Sequence, residues 1–127
     1  MAQHKRMLVV DDDQSMRTSL AQQFEAEEFA VDTADDGIPA LALIGKHAYD
    51  IVLLDLNLPR MNGVALMKEL NRTGTIPNII ILTASNSLLR AVECVKLGAK
   101  SYLLKPYDPG ELLTVVMRHV NPAKAAP

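Results

Sequence analysis

With a single cysteine, Cys94, the chain cannot close an internal disulfide, and a four-thiolate zinc site is excluded. Tryptophan is missing, and three Tyr and two Phe are the only aromatics among 127 residues, which argues against a platform for stacking bases. The core must therefore rest mostly on Leu, Ile, Val, Met and Ala. Neither sign of charge dominates: 13 Lys and Arg face 15 Asp and Glu for a net charge of -2, whereas neutralising nucleic acid phosphates needs a basic face. None of the six glycines falls in a G-x-G or Walker A pattern, so dinucleotide and NTP sites lack their signatures. No apolar run approaches the roughly eighteen residues that span a bilayer. Behind the basic start, Met7 to Val10 is too short for the core of a signal peptide. These absences leave the expectation of one soluble, cytoplasmic domain with neither membrane nor nucleic acid as a direct partner.

Against that background, short apolar runs alternate with amphipathic stretches. Met7 to Val10, Phe29 to Val31, Ile51 to Leu54, Ile79 to Leu82 and Tyr102 to Leu104 have the length, composition and turn-rich borders of strands. The third and fourth are continuously apolar, as in strands covered on both faces. Between them, Met16, Leu20 and Phe24 recur at helical spacing, as do Val64, Met67 and Leu70, then Leu88, Val92 and Val95, and lastly Leu112, Val116 and Val120. Gly37 to His47 is the least periodic of the helical stretches. Five strands alternating with five helices predict an α/β fold: a doubly wound, five-stranded parallel sheet of order 2-1-3-4-5, flavodoxin-like. This order sets strands 1 and 3 side by side where the winding reverses, and ligands bind at that point beyond the carboxyl ends of the strands. A domain over 1–121 is expected, with the Pro/Ala-rich 122–127 as a tail or the start of a linker.

Strand 1 runs into Asp11, Asp12 and Asp13, and strand 3 into Asp55, so the expected topology gathers acids from distant segments in one crevice. Such carboxylates repel one another and call for a cation. Oxygen donors without nearby His or Cys favour a hard ion such as Mg2+. The alternative is that an aspartate after a strand caps the next helix, which suits Asp13 well. Thr83 ends strand 4 and Lys105 ends strand 5. Taken singly, the first reads as a turn hydroxyl and the second as a solvated strand end. Together, carboxylates, a hydroxyl and an ammonium around one crevice suit a phosphoryl group held with Mg2+.

The segments RMLVVDDD (Arg6 to Asp13), IVLLDLNLPRMNG (Ile51 to Gly63), IILTAS (Ile80 to Ser85) and GAKSYLLKP (Gly98 to Pro106) closely resemble, in order and spacing, the receiver domain of bacterial two-component response regulators. The resemblance covers residues 6 to 121. It implies that Asp55 is the phosphoacceptor, taking a phosphoryl group from a sensor histidine kinase or a phosphotransfer protein in a phosphorelay. It implies Mg2+ held by Asp11, Asp12, Asp55 and the backbone carbonyl of Asn57. Thr83 and Lys105 would contact phosphoryl oxygens, and Thr83 with the aromatic Tyr102 would form the switch. A cis Lys105-Pro106 bond is also implied. The same likeness implies a signalling switch that promotes its own phosphorylation and dephosphorylation, rather than an enzyme acting on a separate substrate. Its helix 4, strand 5 and helix 5 face would control an output partner, and receiver–receiver dimerisation is a second use of such a face. Asn62 departs from the Asp more usual in the family, though both are turn residues. An isolated strand Tyr is more commonly a half-buried aromatic with a wet hydroxyl, and its place before Lys105 favours the switch reading. Two rivals differ in class: an aspartate-nucleophile phosphohydrolase, whose nucleophile would open an Asp-x-Asp after strand 1 whereas here the acceptor follows strand 3 with Asn57 two residues on, and a docking module that is never phosphorylated, disfavoured because every site residue is present.

Overall fold

The computed structural model describes residues 4–74 and 76–121; the expected tail, 122–127, lies outside the described residues. Five strands, β1 (Arg6–Val10), β2 (Ala30–Ala34), β3 (Ile51–Leu54), β4 (Ile79–Thr83) and β5 (Ser101–Leu104), alternate with five helices. These are α1 (Gln14–Glu25), α2 (Gly37–Lys46), α3 (Gly63–Thr73), α4 (Leu88–Lys96) and α5 (Pro109–Val120). All strand pairs are parallel and the order is β2-β1-β3-β4-β5, as the alternation predicts. The Gly37 to His47 stretch is helical over Gly37–Lys46 despite its weak periodicity.

Side chains of the central strands alternate between two cores. Met7, Val9, Ile51, Leu53, Ile80 and Leu82 face Leu20 and Phe24 of α1 and Leu112 and Val116 of α5. Leu8, Val10, Val52, Leu54, Ile79 and Ile81 face Ala40 and Ile44 of α2, Leu66 and Met67 of α3, and Cys94 of α4. Both faces of the sheet are thus covered, which is why β3 and β4 read as unbroken apolar runs.

Two expectations need correction. The second strand is Ala30–Ala34, not Phe29 to Val31, because this edge strand carries the polar Asp32 and Thr33, and hydropathy alone stops too early. The Leu88, Val92 and Val95 stripe does lie on α4, but it faces solvent, with Leu88 76% and Val95 60% exposed. The helix docks through its opposite side, where Cys94 is fully buried.

Each helix opens on a side-chain acceptor. Asp13, Asp36, Asn62, Ser87 and Asp108 accept from backbone N–H groups one turn on, satisfying donors that the helix cannot pair internally. These caps fix where each strand-to-helix loop ends, and hence the rim on which the polar residues stand.

Candidate functional site

Parallel pairing of β1 with β3 sets Val10 opposite Leu54, so the next residues, Asp11 and Asp55, leave the sheet side by side. The backbone confirms the register: Asp55 N–H donates to the Val10 carbonyl at 2.9 Å, and Asp11 N–H to the Ala34 carbonyl of β2 at 3.1 Å. Asp11 and Asp55 are buried, at 2% and 6% exposure, while Asp12 is exposed. Carboxylate oxygens of Asp11, Asp12 and Asp55 lie within 4.8 Å of one another. Asp13 stands apart from this group, its carboxylate taken by the N–H groups of Ser15 at 2.9 Å and Met16 at 3.3 Å.

Lys105 enters from β5. Its Nζ donates to Asp11 Oδ2 at 2.7 Å and Asp55 Oδ2 at 3.2 Å, spanning the two buried acids. Burial opposes the charge on Lys105, but the hydrogen bond and charge of Asp11, joined by those of Asp55, outweigh it and hold the ammonium above the ordinary lysine pKa. One lysine cannot offset three carboxylates, and the exposed Asp12 leaves the cluster open to solvent on one side. Among the described residues the Asn57 carbonyl accepts no hydrogen bond. Three carboxylates and a free carbonyl form an all-oxygen donor set, which fits a small hard cation such as Mg2+.

The remaining expected residues surround this cluster. Asn57 N–H donates to Asp55 Oδ1 at 3.1 Å. Thr83, fully buried at the end of β4, makes no bond to the acids; its Oγ1 accepts from Ser85 N–H at 3.3 Å. Tyr102 donates its hydroxyl to the Ser85 carbonyl at 2.8 Å. Burial raises its phenol above the ordinary tyrosine pKa, against the opposing effect of that bond. The Lys105-Pro106 bond is cis.

Three basic residues near the rim escape a reading of strand ends, because they sit on helices or loops. Arg17 Nη1 donates to the Asp11 carbonyl at 2.7 Å. Arg60 Nε meets the buried Asp36 carboxylate at 2.5 Å, fastening the loop after β3 to the start of α2. Arg90, in the first turn of α4, places Nη1 3.4 Å from Asn57 Oδ1. Only Arg17, six residues beyond Asp11, makes a contact near in sequence; the other two join segments 24 and 33 residues apart.

Comparison with known proteins accords with this arrangement. The family model for the response regulator receiver domain matches residues 7–117. Among curated proteins, response regulator MprA of Mycobacterium sp. (strain KMS) is 38% identical over 120 residues, covering 92% of this chain and 52% of the relative. The chain thus spans about half the length of the curated relatives it matches. Among solved structures, a CheY-like response regulator receiver domain protein of Methanospirillum hungatei superposes with a TM-score of 0.89 at 30% identity, covering 96% of this chain and 98% of that one. CheY from Borrelia burgdorferi, solved with CheX, BeF3 and Mg2+, gives a TM-score of 0.83 at 31% identity, covering 89% and 87% of the two chains.

Proposed function

The chain belongs to the response regulator receiver domain family, and from this premise we propose that Asp55 accepts a phosphoryl group from a phosphohistidine on a sensor histidine kinase or phosphotransfer protein. The observation that carries the reading is the cluster of Asp11, Asp12 and Asp55 with Lys105 bonded to two of them. An Asp55 carboxylate oxygen bonds to phosphorus as the P–N bond of the donor breaks, its electron pair leaving with the imidazole. Asp11, Asp12, Asp55 and the Asn57 carbonyl would hold Mg2+, which would supply positive charge against the acids and the phosphoryl oxygens. Lys105 would swing from Asp11 to an equatorial phosphoryl oxygen, and the Thr83 hydroxyl would donate its hydrogen to another. The receiver unit is taken as 1–121, with 122–127 as tail or linker start, in keeping with the family match over 7–117.

Output is assigned to the face of α4, β5 and α5. Leu88, Leu89, Val92 and Val95 of α4 and Leu104 of β5 are all exposed there, an apolar surface that a partner or a second receiver would cover. Among the described residues no helix is long and apolar enough to cross a membrane.

Incubation with acetyl phosphate and Mg2+ tests the acceptor. Wild type should gain one phosphoryl group labile to hydroxylamine, as an acyl phosphate is, and Asp55→Asn should gain none. A stable phosphate on Ser or Thr, or undiminished labelling of Asp55→Asn, would overturn the assignment.

A further inference from the structure

Arg17 stands half-buried at the start of α1, and its side chain runs back to the end of β1, where Nη1 donates to the Asp11 carbonyl at 2.7 Å. Its backbone N–H donates to the Asp13 carbonyl at 3.0 Å, so one residue fastens both ends of the acidic triplet. Among the described residues it forms no ion pair with a carboxylate, and charge pairing does not account for its place. Asp12 lies between these two attachments. The carboxylate of Asp11 is held by Lys105 at 2.7 Å and by Asp13 N–H at 2.9 Å, and that of Asp55 by Lys105 at 3.2 Å and Asn57 N–H at 3.1 Å. The exposed carboxylate of Asp12 makes no hydrogen bond among the described residues, so its direction is set by its backbone.

Resting on the reading that Asp11, Asp12 and Asp55 hold Mg2+, we propose that Arg17 is a positioning residue that fixes the Asp11–Asp12 peptide in the plane that turns the Asp12 carboxylate toward the ion. A peptide is planar, so tying the Asp11 carbonyl to Arg17 fixes the unit that leads into Asp12. The unit that leaves Asp12 is fixed by Asp13 N–H on Asp11 Oδ1. That second hold uses a carboxylate the metal would recruit, whereas the hold by Arg17 uses only a backbone carbonyl and does not compete with the ion. The charge of Arg17 acts the other way, because a cation beside carboxylates opposes a second cation, and its removal would by charge alone tighten Mg2+ binding. Holding and charge therefore predict opposite signs for one substitution. Mg2+ demands near-ideal octahedral geometry, so the loss of orientation at Asp12 outweighs the relief of repulsion.

The test titrates Mg2+ against the unphosphorylated protein and reads the dissociation constant from the amide NMR signals of Asp11, Asp12 and Asp55, in wild type, Arg17→Met, Arg17→Gln and Asp13→Ala. Arg17→Met keeps the apolar stem without charge or donors, and Arg17→Gln repeats the loss of charge with a polar side chain should the first fold poorly. Both Arg17 variants should bind Mg2+ at least about threefold more weakly than wild type. Asp13→Ala, which uncaps α1 without touching the Asp11 carbonyl, should bind it as wild type does. That contrast is a readout that general loosening of α1 would not produce. Unchanged or tighter binding in both Arg17 variants would overturn the proposal, and so would an equal weakening in Asp13→Ala. If wild type shows no saturable Mg2+ shift at these aspartates, the metal reading fails and this proposal with it; saturable binding that is indifferent to Arg17 rejects this proposal alone.

Discussion

Asp11, Asp12 and Asp13 are consecutive in sequence but do not share one role. Asp11 and Asp12 point oxygens toward Asp55, while Asp13 is spent on the N–H groups that open α1. Asp11→Ala or Asp12→Ala should therefore remove Mg2+-dependent labelling of Asp55, whereas Asp13→Ala should retain it and cost about 1 kcal/mol of stability as a lost helix cap. Loss of labelling in all three, each still folded in denaturant titration, would reject the division. A second aspartate sets the pH response. The backbone N–H of Ile38 holds the Asp36 carboxyl below its ordinary pKa of 3.8; burial opposes this, and the hydrogen bond and charge of Arg60 reinforce it. A carboxylate whose pKa is lower in the folded state stabilises the fold above its ordinary value, and that contribution is lost as pH falls through the lower, folded value. Asp36→Asn should accordingly be less stable than wild type at neutral pH, with the gap in urea midpoint narrowing as pH falls below the ordinary value of 3.8. A gap that stays constant across this range would show that the charge of Asp36 contributes nothing.

The strand-to-helix loops carry the site, and their shape depends on close backbone approach at two glycines. A Cβ on Gly63 would lie 2.8 Å from the Asp55 carbonyl oxygen and 2.8 Å from Leu56 Cα, and one on Gly37 would lie 2.3 Å from the Met61 carbonyl oxygen. Both positions clamp the loop from Asp55 to Asn62, the first from within and the second through Gly37 N–H donating to the Met61 carbonyl at 3.0 Å. Gly63→Ala should displace the acceptor itself, lowering the initial rate of Asp55 labelling and costing about 1–3 kcal/mol by overpacking. Unchanged labelling and stability would mean that this loop tolerates the shift. The strands and most helices were legible in sequence because β1, β3 and β4 are buried on both faces and hydropathy reports burial directly. The acids were legible because each follows such a strand, and Lys105 because it follows the short apolar run of β5, so that locating the strand locates the residue. Three features were not. The extent of β2 was hidden by the polarity of an edge, and the orientation of α4 by an apolar stripe that faces solvent. The contacts of Arg60 and Arg90 were hidden because long side chains reach partners that only the assembled loops supply.

Across the whole domain, the ends of β4 and β5 are linked through one residue of the loop that leads into α4. Ser85 donates its N–H to Thr83 Oγ1 at 3.3 Å, and its carbonyl accepts from Tyr102 at 2.8 Å, so the β4 hydroxyl and the β5 aromatic hold the same peptide segment two residues before the α4 cap at Ser87. A phosphoryl group on Asp55 would accept the Thr83 hydroxyl hydrogen, which the bond from Ser85 N–H does not use, and would draw the Thr83 side chain toward Asp55. Because the bond from Ser85 N–H to Thr83 Oγ1 is already long at 3.3 Å, that movement of Thr83 would break it. Its release would shift the first turn of α4, and with it exposed Leu88, Leu89 and Arg90. To matter in signalling, the two states must differ in partner affinity, and a tenfold difference is about 1.4 kcal/mol. Beryllofluoride, a phosphoryl mimic, should therefore alter amide exchange from Leu88 to Lys105 in wild type. The change should be lost in Thr83→Ala and weakened in Tyr102→Phe, which keeps the ring but not the bond to Ser85. Changes confined to Asp11, Asp12 and Asp55 would refute transmission to this face, while leaving acceptance of a phosphoryl group by Asp55 intact.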